Sequence, residues 1–484
     1  MDGTDRNTRF ASLQQGIATQ ARSDPDGVAI SAPGRSPLTY RQLHALTAST
    51  LARLNAVAVS RGDRVAMVLP NGPEMAAAFL SVAAGASAAP LNPAYQATEF
   101  EFYLSDLKAK VLMIHRDMDS PARAVAARLS IPVIELIPHA EQAAGSFTLG
   151  GDIDVKIPPA YSTIDDEALV LHTSGTTSRP KLVPLTQGNI CASARSIAAT
   201  LALTRRDVCL NIMPLFHIHG LMAAVMASLA AGAGVVCSPG FNRENFFGWL
   251  KECRPTWFTA VPTMHMAILE AADHYREIVE NSALRFIRSS SASLPPRVMA
   301  RMEEVFNAPM IEAYGMTEAA HQIASNPLPP AVRKPGSVGF AAGPDVTVMN
   351  ESGAILAPGT PGEIVIRGAN VTPGYANNPQ ANSQAFTRGW FRTGDQGRMD
   401  EGGYLYITGR LKEIINRGGE KVSPREVDEA LLEHPDVAQA VAFAVPHDSL
   451  GEDIAAAVVL KDNARVTGPA LRQDSMARGL SPFL

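Results

Sequence analysis

The sequence predicts an α/β protein, in which layered α/β sheets form a large amino-terminal domain and a small α+β domain follows. Two observations support this fold class. Stretches with helical spacing alternate with short apolar strands from Leu38 onward. Near Pro358 the pattern changes to short strands and Gly-rich turns. The expected units are residues 1–409 with a β-rich subdomain at about 335–409, a hinge at 410–412, and a small domain at 413–484.

The amino-terminal half supplies the alternating elements. LTYRQLHALTASTLARL has the spacing of a helix, DRVAMVLP is typical of a buried strand, and EMAAAFLSVAAGA returns to helix. KVLMIH at 110–115 and IPVIELI at 131–137 extend a mostly parallel sheet. Glycines interrupt the apolar run at 221–237, so we interpret it as a buried helix and strand rather than a membrane span. In the small domain, PREVDEALLEHP predicts a helix, and AQAVAFAVP and DIAAAVVLK predict strands.

Composition excludes several classes of protein. The 484 residues predict roughly three structural units, and 18% charged with 46% hydrophobic residues is typical of a globular chain. A net charge of −5 without a basic block argues against nucleic-acid binding. Neither terminus carries a targeting signal, so we expect a cytoplasmic location. Spacing and density predict free thiols at Cys191, Cys209, Cys237 and Cys253.

A run of hydroxyl residues and glycine at 171–182, LHTSGTTSRPKL, follows a strand that should be buried. Glycine lets the backbone approach a ligand, successive N–H groups can share one concavity, and Lys181 adds a mobile positive charge. The run predicts a polyphosphate loop, although a solvated turn would have the same composition. It is not a Walker loop, because Pro180 precedes the lysine. The predicted loop residues are Thr173, Ser174, Gly175, Thr176 and Thr177.

Three later motifs decide between these interpretations: EAYGMTE at 312–318, WFRTGD at 390–395 and GRLKEIINRGGEKVSP at 409–424. With the loop, they make nearly the whole chain from Leu38 resemble the adenylate-forming superfamily of acyl-CoA synthetases, adenylation domains and luciferases. TSGTTSRPK, PLFHIHGL, FIRSSSASL and SNPL are most similar to oxalate–CoA ligases and less similar to malonyl-CoA synthetases. The resemblance implies an acid–thiol ligase that uses ATP, Mg²⁺ and CoA and forms an acyl-adenylate, then an acyl-CoA.

The resemblance also implies a role for each motif at the phosphates. In the family the loop holds the β and γ phosphates, the threonine of the Thr-Glu motif contacts the α-phosphate, and the glutamate binds Mg²⁺. Negative charge builds up on oxygens there, so donors and a cation with oxygen ligands are needed. The expected catalytic residues are His217, Thr317, Glu318 and Lys181, with Glu318 as the metal ligand.

The nucleoside is expected to lie between two short segments. Tyr314 offers an aromatic face for adenine, although an isolated tyrosine more often belongs to the core. Asp395 can accept both ribose hydroxyls, and Arg410 can add a donor. The segments that resemble the family's nucleotide walls are Glu312, Ala313, Tyr314 and Gly315 on one side and Ser291, Ala292 and Ser293 on the other.

Two histidines in PLFHIHGL are two residues apart and would share one face of a strand. A zinc site is the alternative, but a His-x-His pair without a third ligand is weak evidence for zinc. The resemblance places His217 at a gate beside the carboxylate and α-phosphate, and His219 in the acyl pocket.

A small dicarboxylate needs a second anion partner at the far end of the pocket. Arg288 in LRFIRSSSAS is the leading candidate for a bidentate grip, with Arg285 on the opposite face of the strand. A structural carboxylate partner for Arg288 is the open alternative. His321, expected one helical turn beyond Glu318, could supply another donor. A pocket for monocarboxylates would instead be apolar.

The carboxyl-terminal motif concerns the second half-reaction. The resemblance implies that the small domain rotates about a hinge at Lys412. Gly418, Gly419 and Lys421 match a glycine-rich turn on the path of the CoA thiol, where missing side chains leave room for the pantetheine arm. An ordinary hairpin is the alternative.

The final stretch predicts a helix from Pro469 and no further strand, so we expect the small domain to be incomplete. Members of the resembled family continue with a loop whose lysine grips the carboxylate and phosphate. We therefore expect adenylation to be slowed by roughly 10²–10³-fold, and thioester formation less. The predicted function is an ATP-dependent ligase that joins a small carboxylic acid, with oxalate favoured, to CoA. The alternatives are a ligase for malonate or another carboxylate and a catalytically impaired nucleotide-binding remnant.

Overall fold

The computed structural model describes residues 11–150, 157–173, 180–461 and 463–477. Within these ranges the strands form four sheets of nine, seven, five and four strands. Mainly parallel sheets with helices between them precede two antiparallel sheets, which confirms the predicted fold class. In the same ranges, no helix has the length and apolar character needed to cross a membrane. The four cysteines are free thiols, as expected.

Several helices begin at a residue whose side chain caps the first turn. Thr39, for example, accepts a hydrogen bond from the backbone N–H of Gln42, whose side chain accepts one in return from the backbone of Thr39. The α-helices are α1 (Leu13–Ser23), α2 (Tyr40–Ala56), α3 (Pro73–Ala83), α4 (Ala97–Leu107), α5 (Pro121–Arg128), α6 (Gln187–Thr200), α7 (Ala227–Ala231), α8 (Arg243–Cys253), α9 (Pro262–Ala272), α10 (Arg276–Glu280), α11 (Pro296–Phe306), α12 (Pro379–Ala385), α13 (Pro424–Leu432) and α14 (Gly468–Ala477). The helices predicted in the first hundred residues correspond to α2 and α3.

The nine-stranded sheet carries six of the predicted site residues, which are Arg288, Glu312, Ala313, Tyr314, Gly315 and His321. In spatial order it contains β16 (Phe340–Ala341), β15 (His321–Ser325), β14 (Met310–Met316), β13 (Phe286–Ser289), β12 (Trp257–Ala260), β10 (Val208–Asn211), β11 (Gly234–Cys237), β1 (Val28–Ser31) and β2 (Leu38–Thr39). The strands from β14 to β1 are parallel, and the outer pairs are antiparallel. Strand β13 is buried along its whole length, so Arg288 is a charged residue inside the sheet layer.

The seven-stranded sheet presents the phosphate-loop run at one edge. In order it contains β7 (Phe147–Leu149), β6 (Val133–Pro138), β5 (Val111–His115), β3 (Arg64–Val68), β4 (Ser87–Pro90), β8 (Glu167–Thr173) and β9 (Lys181–Thr186). Strands β8 and β9 are antiparallel, and Thr173 lies opposite Lys181. The predicted loop residues Ser174, Gly175, Thr176 and Thr177 lie outside the described residues.

Helix α3 joins the two large sheets into one core. Nearly all of its residues are buried, and its many alanines allow sheets to approach it on both sides. Phe79 of this helix belongs to the same apolar cluster as Val65 and Met67 of β3 and Val235 of β11. The core therefore fixes the two sheets, and the residues at their edges, relative to one another.

Two antiparallel sheets complete the fold. The five-stranded sheet contains β17 (Asp345–Met349), β18 (Gly362–Arg367), β19 (Phe386–Thr387), β20 (Trp390–Met399) and β21 (Leu405–Arg410). The four-stranded sheet contains β22 (Ile415–Arg417), β23 (Glu420–Val422), β24 (Val437–His447) and β25 (Gly451–Leu460). The five-stranded sheet ends at Arg410, where the predicted hinge begins. The exact domain boundaries stay a prediction.

Two local predictions about the histidines were wrong. His217 and His219 do not lie in a strand, because a π-helix begins at His219 and continues to Met226. His321 is not one helical turn beyond Glu318, because only a single 3₁₀ turn, Thr317–Ala319, separates β14 from β15. Ala320 and His321 both have positive φ, so the chain reverses into β15 there.

We predict that Gly315→Ala destabilises the protein because of this reversal. A Cβ atom at this position would lie 1.6 Å from the backbone oxygen of His321, which only a backbone shift can relieve. Such overpacking costs about 1–3 kcal/mol or more. Thermal unfolding followed by circular dichroism should show a lower melting temperature.

Gly248→Ala is the matched control for this substitution. Gly248 lies inside α8, and a Cβ there would meet no atom within 4 Å. Alanine is the better helix former, so this variant should be as stable as the wild type or more so. A Gly315→Ala variant that melts like Gly248→Ala would contradict the prediction.

Candidate active site

A cavity of about 550 Å³ brings the separated motifs together. Its walls come from β8 and β9, from the turn after β14, from β20 and from the residues after β21. The predicted site residues that line it are Thr173, Lys181, His217, Ser291, Gly315, Thr317, Glu318, His321, Arg410 and Lys412. Motifs that are far apart in the sequence therefore meet at one place.

The side of the cavity that was expected to hold the phosphates carries Lys181 and Lys412. The Lys181 ammonium lies 4.4 Å from the centre of the Tyr375 ring. Burial and the neighbouring charge of Lys412 lower the pKa of Lys181, while Glu318 opposes this shift. The positive charges of the two lysines create a potential that an anion would relieve.

Glu318 is nearly buried at the cavity wall. The Tyr375 hydroxyl donates to its Oε1 at 2.9 Å, which leaves Oε2 as a candidate ligand for a cation. Burial raises the pKa of Glu318, and the Tyr375 hydroxyl, Lys181 and Arg410 favour its charged form. A carboxylate oxygen in this position suits Mg²⁺, which prefers oxygen ligands.

The nucleoside side differs in part from the expectation. Tyr314 is 8% exposed, belongs to the large core cluster and does not line the cavity. Its hydroxyl donates to Asp395 Oδ2 at 2.5 Å, and Arg410 Nε donates to Asp395 Oδ1 at 3.0 Å. Both carboxylate oxygens therefore already have a protein donor. Each still has a second lone pair, with which it could accept a ribose hydroxyl.

The other predicted nucleotide wall is shared with the small domain. Ser291 lines the cavity, whereas Ala292 and Ser293 do not. Instead the Ser293 hydroxyl donates to Glu429 Oε1 at 2.8 Å and accepts from Arg425 Nη2 at 2.7 Å. This short segment therefore borders the cavity at Ser291 and contacts α13 through the Ser293 side chain.

Glu312 and Ala313 are buried in β14 and do not line the cavity. Glu312 accepts from the backbone N–H of Leu294 at 3.2 Å, and its Oε2 has no hydrogen-bond partner in the described part of the chain. Burial raises the pKa of Glu312 to about 7. The carboxyl therefore keeps its proton to a higher pH than an exposed glutamate does.

Arg288 lies behind the far end of the cavity: its side chain is completely buried and does not line the cavity, contrary to the expectation of a direct bidentate grip. Its Nη2 donates to His321 Nε2 at 3.2 Å and to Gln322 Oε1 at 3.3 Å. Its Nη1 lies 3.3 Å from Thr259 Oγ1 and 3.4 Å from His219 Nε2. Within the described residues no carboxylate forms an ion pair with this guanidinium. The alternative that Arg288 pairs with a structural carboxylate is therefore not supported there.

Both histidines beside Arg288 are neutral. Their rings stack with centroids 4.9 Å apart, and burial together with the Arg288 charge lowers the pKa of each well below its usual range. His219 is fully buried and does not line the cavity, contrary to the expectation for the acyl pocket. His219 instead contacts a residue of the cavity wall, because its Nδ1 lies 2.9 Å from the hydroxyl of Ser291, which does line the cavity.

The glycine-rich turn connects two antiparallel strands. Gly418 and Gly419 join β22 to β23, and both have positive φ. Neither these glycines nor Lys421 lines the cavity in this arrangement of the small domain. Their role with CoA stays a prediction.

Several cavity residues were missed at the level of the sequence: Tyr95, Tyr103, His172, Glu363, Tyr375 and Arg392. Two of them had a signal, because His172 and Arg392 lie inside the quoted runs LHTSGTT and WFRTGD. Arg392 Nε donates to Glu363 Oε2 at 2.7 Å, and the Gly394 N–H donates to Glu363 Oε1 at 3.0 Å. Glu363 thus holds the strand segment that carries Asp395.

A large α/β domain, a small α+β domain and a cationic cavity beside the segment that joins them define an adenylate-forming acid–thiol ligase. The chain belongs to the AMP-binding enzyme family, whose sequence profile matches residues 17–376, and the profile of the AMP-binding enzyme C-terminal domain matches residues 426–478. The protein is therefore a carboxylate–CoA ligase that uses ATP, Mg²⁺ and CoA.

Relatives and solved structures are similar over most of the chain. It is 46% identical to the oxalate–CoA ligase of Arabidopsis thaliana, covering 92% of this chain and 88% of that protein. It is 41% identical to the oxalate–CoA ligase of Saccharomyces cerevisiae, covering 85% and 80%. ATP-bound MatB from Rhodopseudomonas palustris superposes with a TM-score of 0.87 at 28% identity, covering 98% and 93%.

The raised pKa of Glu312 predicts a pH-dependent stability. The native state holds this proton to higher pH than the unfolded chain, whose carboxyl has a pKa near 4.5. The stability contributed by the protonated group is therefore fully present below pH 4.5 and is lost as the pH rises through about 7. Glu312→Gln stays neutral, so it should stabilise the protein at about pH 8 by up to about 3 kcal/mol and change little at about pH 5.

Thermal unfolding at the two pH values measures this difference. Glu401→Gln removes an exposed carboxylate and serves as the control, with no comparable pH-dependent gain. An equal effect of Glu312→Gln at both pH values would show that the carboxyl does not titrate in this range.

Proposed function

We propose that the protein activates a small dicarboxylate, with oxalate favoured, and that the acid binds where Ser291 and His321 close the cavity. The observation that carries this proposal is Arg288, a buried guanidinium without a carboxylate partner among the described residues. A cation in the protein interior is costly unless an anion compensates it. Burial lowers the pKa of Arg288 to about 9, so it remains charged at neutral pH.

Arg288 transmits its charge to the cavity through two imidazole rings. Because its Nη2 donates to His321 Nε2, the proton of this neutral ring resides on Nδ1, which becomes a donor. Arg288 and Thr259 likewise occupy His219 Nε2, so His219 Nδ1–H donates to the Ser291 oxygen. The Ser291 hydroxyl hydrogen is then free for a ligand. Two hydrogen-bond donors and a positive potential thus favour a carboxylate at this end.

The remaining cavity residues suit the first half-reaction. One carboxylate of the acid attacks the α-phosphorus of ATP, and pyrophosphate leaves with the electrons of the broken bond. Lys181, Thr173 and Thr317 would hold phosphate oxygens, His217 would orient the acid, and Glu318 would hold Mg²⁺. When bound, Mg²⁺ would neutralise charge on the phosphate oxygens.

The hinge residues suit both half-reactions. Arg410 donates to Asp395, the proposed ribose contact, and lies at the start of the segment that leads into the small domain. Lys412, two residues later, lines the cavity. In the second half-reaction the CoA thiol would attack the acyl carbon of the adenylate and release AMP. Rotation about Lys412 would bring Gly418, Gly419 and Lys421 to the thiol.

The names of the two oxalate–CoA ligase relatives support oxalate as the acid. Malonate or another carboxylate is the second candidate, since the same donors would suit any short acid with a second anionic group. At the far end Ser291 and His321 line the cavity, with Arg288, His219 and Thr259 behind them. These polar groups suit a second anionic group better than the apolar tail of a monocarboxylate.

A panel of acids tests the proposal. The protein is incubated with ATP, Mg²⁺, CoA and either oxalate, malonate, glycolate, acetate or octanoate, and AMP release is measured. We expect the highest kcat/KM for oxalate, at least about 10²-fold above glycolate, because glycolate leaves the donors unpaired. Faster turnover of malonate or octanoate would contradict oxalate as substrate. ATP binding without AMP release from any acid would favour the impaired remnant.

Substitution of Arg288 tests the residue that carries the proposal. Arg288→Met should raise KM for oxalate at least about 30-fold and leave KM for ATP nearly unchanged, because a charge partner is lost at the acid end only. Arg288→Lys keeps the charge without the planar fork and should restore part of the affinity.

Arg285→Met is the matched control. Arg285 precedes the same strand and pairs with Asp207 at 3.0 Å, away from the cavity. This variant should lose stability without a selective change in KM for oxalate. Equal losses of affinity for oxalate and ATP in Arg288→Met would show that Arg288 is structural.

A further inference from the structure

A cluster on the phosphate side of the cavity has no role in the proposed function. His172, the residue before Thr173 in β8, lines the cavity together with Tyr95 and Tyr103. His172 Nε2 lies 2.9 Å from Asp106 Oδ2 at the end of α4. The Tyr103 ring packs edge-on against the imidazole at 4.6 Å, and Tyr95 stacks on Tyr103 at 4.7 Å.

This arrangement fixes the imidazole and its tautomer. A carboxylate accepts hydrogen bonds, so Asp106 keeps the proton on Nε2 and leaves Nδ1 as the second nitrogen. Nδ1 has no hydrogen-bond partner within the described ranges. The side chain is only 6% exposed, so solvent reaches the ring only at a small opening.

The charged groups around His172 favour a neutral ring while no anion is present. Burial lowers its pKa, Asp106 opposes this shift, and Arg64 lowers the pKa further. Arg64 is itself held by Glu167, with distances of 2.7 and 2.8 Å. Lys181, on the strand that pairs with β8, lines the same cavity.

We propose that His172 contacts the phosphate chain of ATP and takes up a proton when the polyphosphate binds. This inference rests on the placement of the phosphates beside Lys181 in the proposed function. A polyanion a few ångströms from an imidazole favours the charged form, and Asp106 compensates the second proton from the other side. The proton comes from solvent and adds to Nδ1.

The protonated ring also suits the departure of pyrophosphate. When the new bond between the carboxylate oxygen and the α-phosphorus forms, the bond to the bridging oxygen breaks, and its electron pair stays on pyrophosphate. The Nδ1–H of His172 then donates to an oxygen that gains negative charge, or transfers its proton to it and returns to the neutral ring. Charge and protons balance in either case.

Proton uptake on ATP binding distinguishes the proposed role of His172 from a purely structural contact between α4 and β8. Calorimetric titration with MgATP near pH 7.5, in buffers that differ in ionisation enthalpy, gives the protons taken up per ATP bound. We expect uptake by the wild type with MgATP and none with AMP, which lacks the β and γ phosphates. His172→Gln keeps a donor for Asp106 but cannot be protonated, so its uptake with MgATP should vanish.

Kinetics supply a second measurement. In the wild type, KM for ATP should rise with pH as the bound-state imidazolium loses its proton, while in His172→Gln it should not change with pH. Asp106→Asn should reduce the proton uptake, because the compensating charge is lost. His274→Gln, which removes an exposed histidine outside the cavity, should behave like the wild type.

The outcomes separate this inference from the proposal on which it rests. If Lys181→Ala weakens MgATP binding but His172→Gln retains the proton uptake of the wild type, the role of His172 is refuted and the phosphate placement stands. If Lys181→Ala leaves MgATP affinity unchanged, the phosphate placement itself is wrong.

Discussion

The uncompensated charge of Arg288 is the constraint on which the acid end of the cavity depends. Four neutral side chains surround the guanidinium: Thr259, His219, His321 and Gln322. These dipoles satisfy hydrogen bonds of the guanidinium but do not cancel its charge. Both imidazoles must therefore stay neutral, since a second positive charge about 3 Å away would be strongly repelled. The same charge sets the hydrogen-bonding direction of both rings, so one buried residue determines what the wall offers to a ligand.

The two ends of the cavity differ in how their positive charges are held. At the end proposed to bind the acid, the Arg288 charge is buried in β13, which suits recognition of a fixed small group. At the other end Lys181 and Lys412 add positive charge, and Lys412 lies in the chain between the five- and four-stranded sheets. Flexible side chains beside a segment that can reorient suit phosphates that must be released.

The sequence predicted those parts of the site that depend on local patterns. The strands around Arg288 and Thr173, and the segments carrying Glu318 and Arg410, have apolar or motif signals within a few residues. Contacts that require the tertiary fold had no such signal. Asp106 meets His172 across 66 positions, and Tyr375 meets Glu318 across 57. Such pairs follow from the order of strands in the sheets, which local periodicity does not specify.

The wrong prediction for His321 has a backbone cause that bears on specificity. Ser291, Ala320 and His321 adopt φ values of 73°, 47° and 88°, which non-glycine residues avoid at a cost of about 1–3 kcal/mol each. The surrounding structure enforces the turn, because Gly315 leaves room for the His321 carbonyl and the Ser193 hydroxyl donates to the Ala320 oxygen at 2.5 Å. A helical continuation after Glu318 would carry His321 away from Arg288. The two cavity residues that Arg288 controls are therefore positioned by a strained backbone, which keeps their donors in place before any ligand arrives.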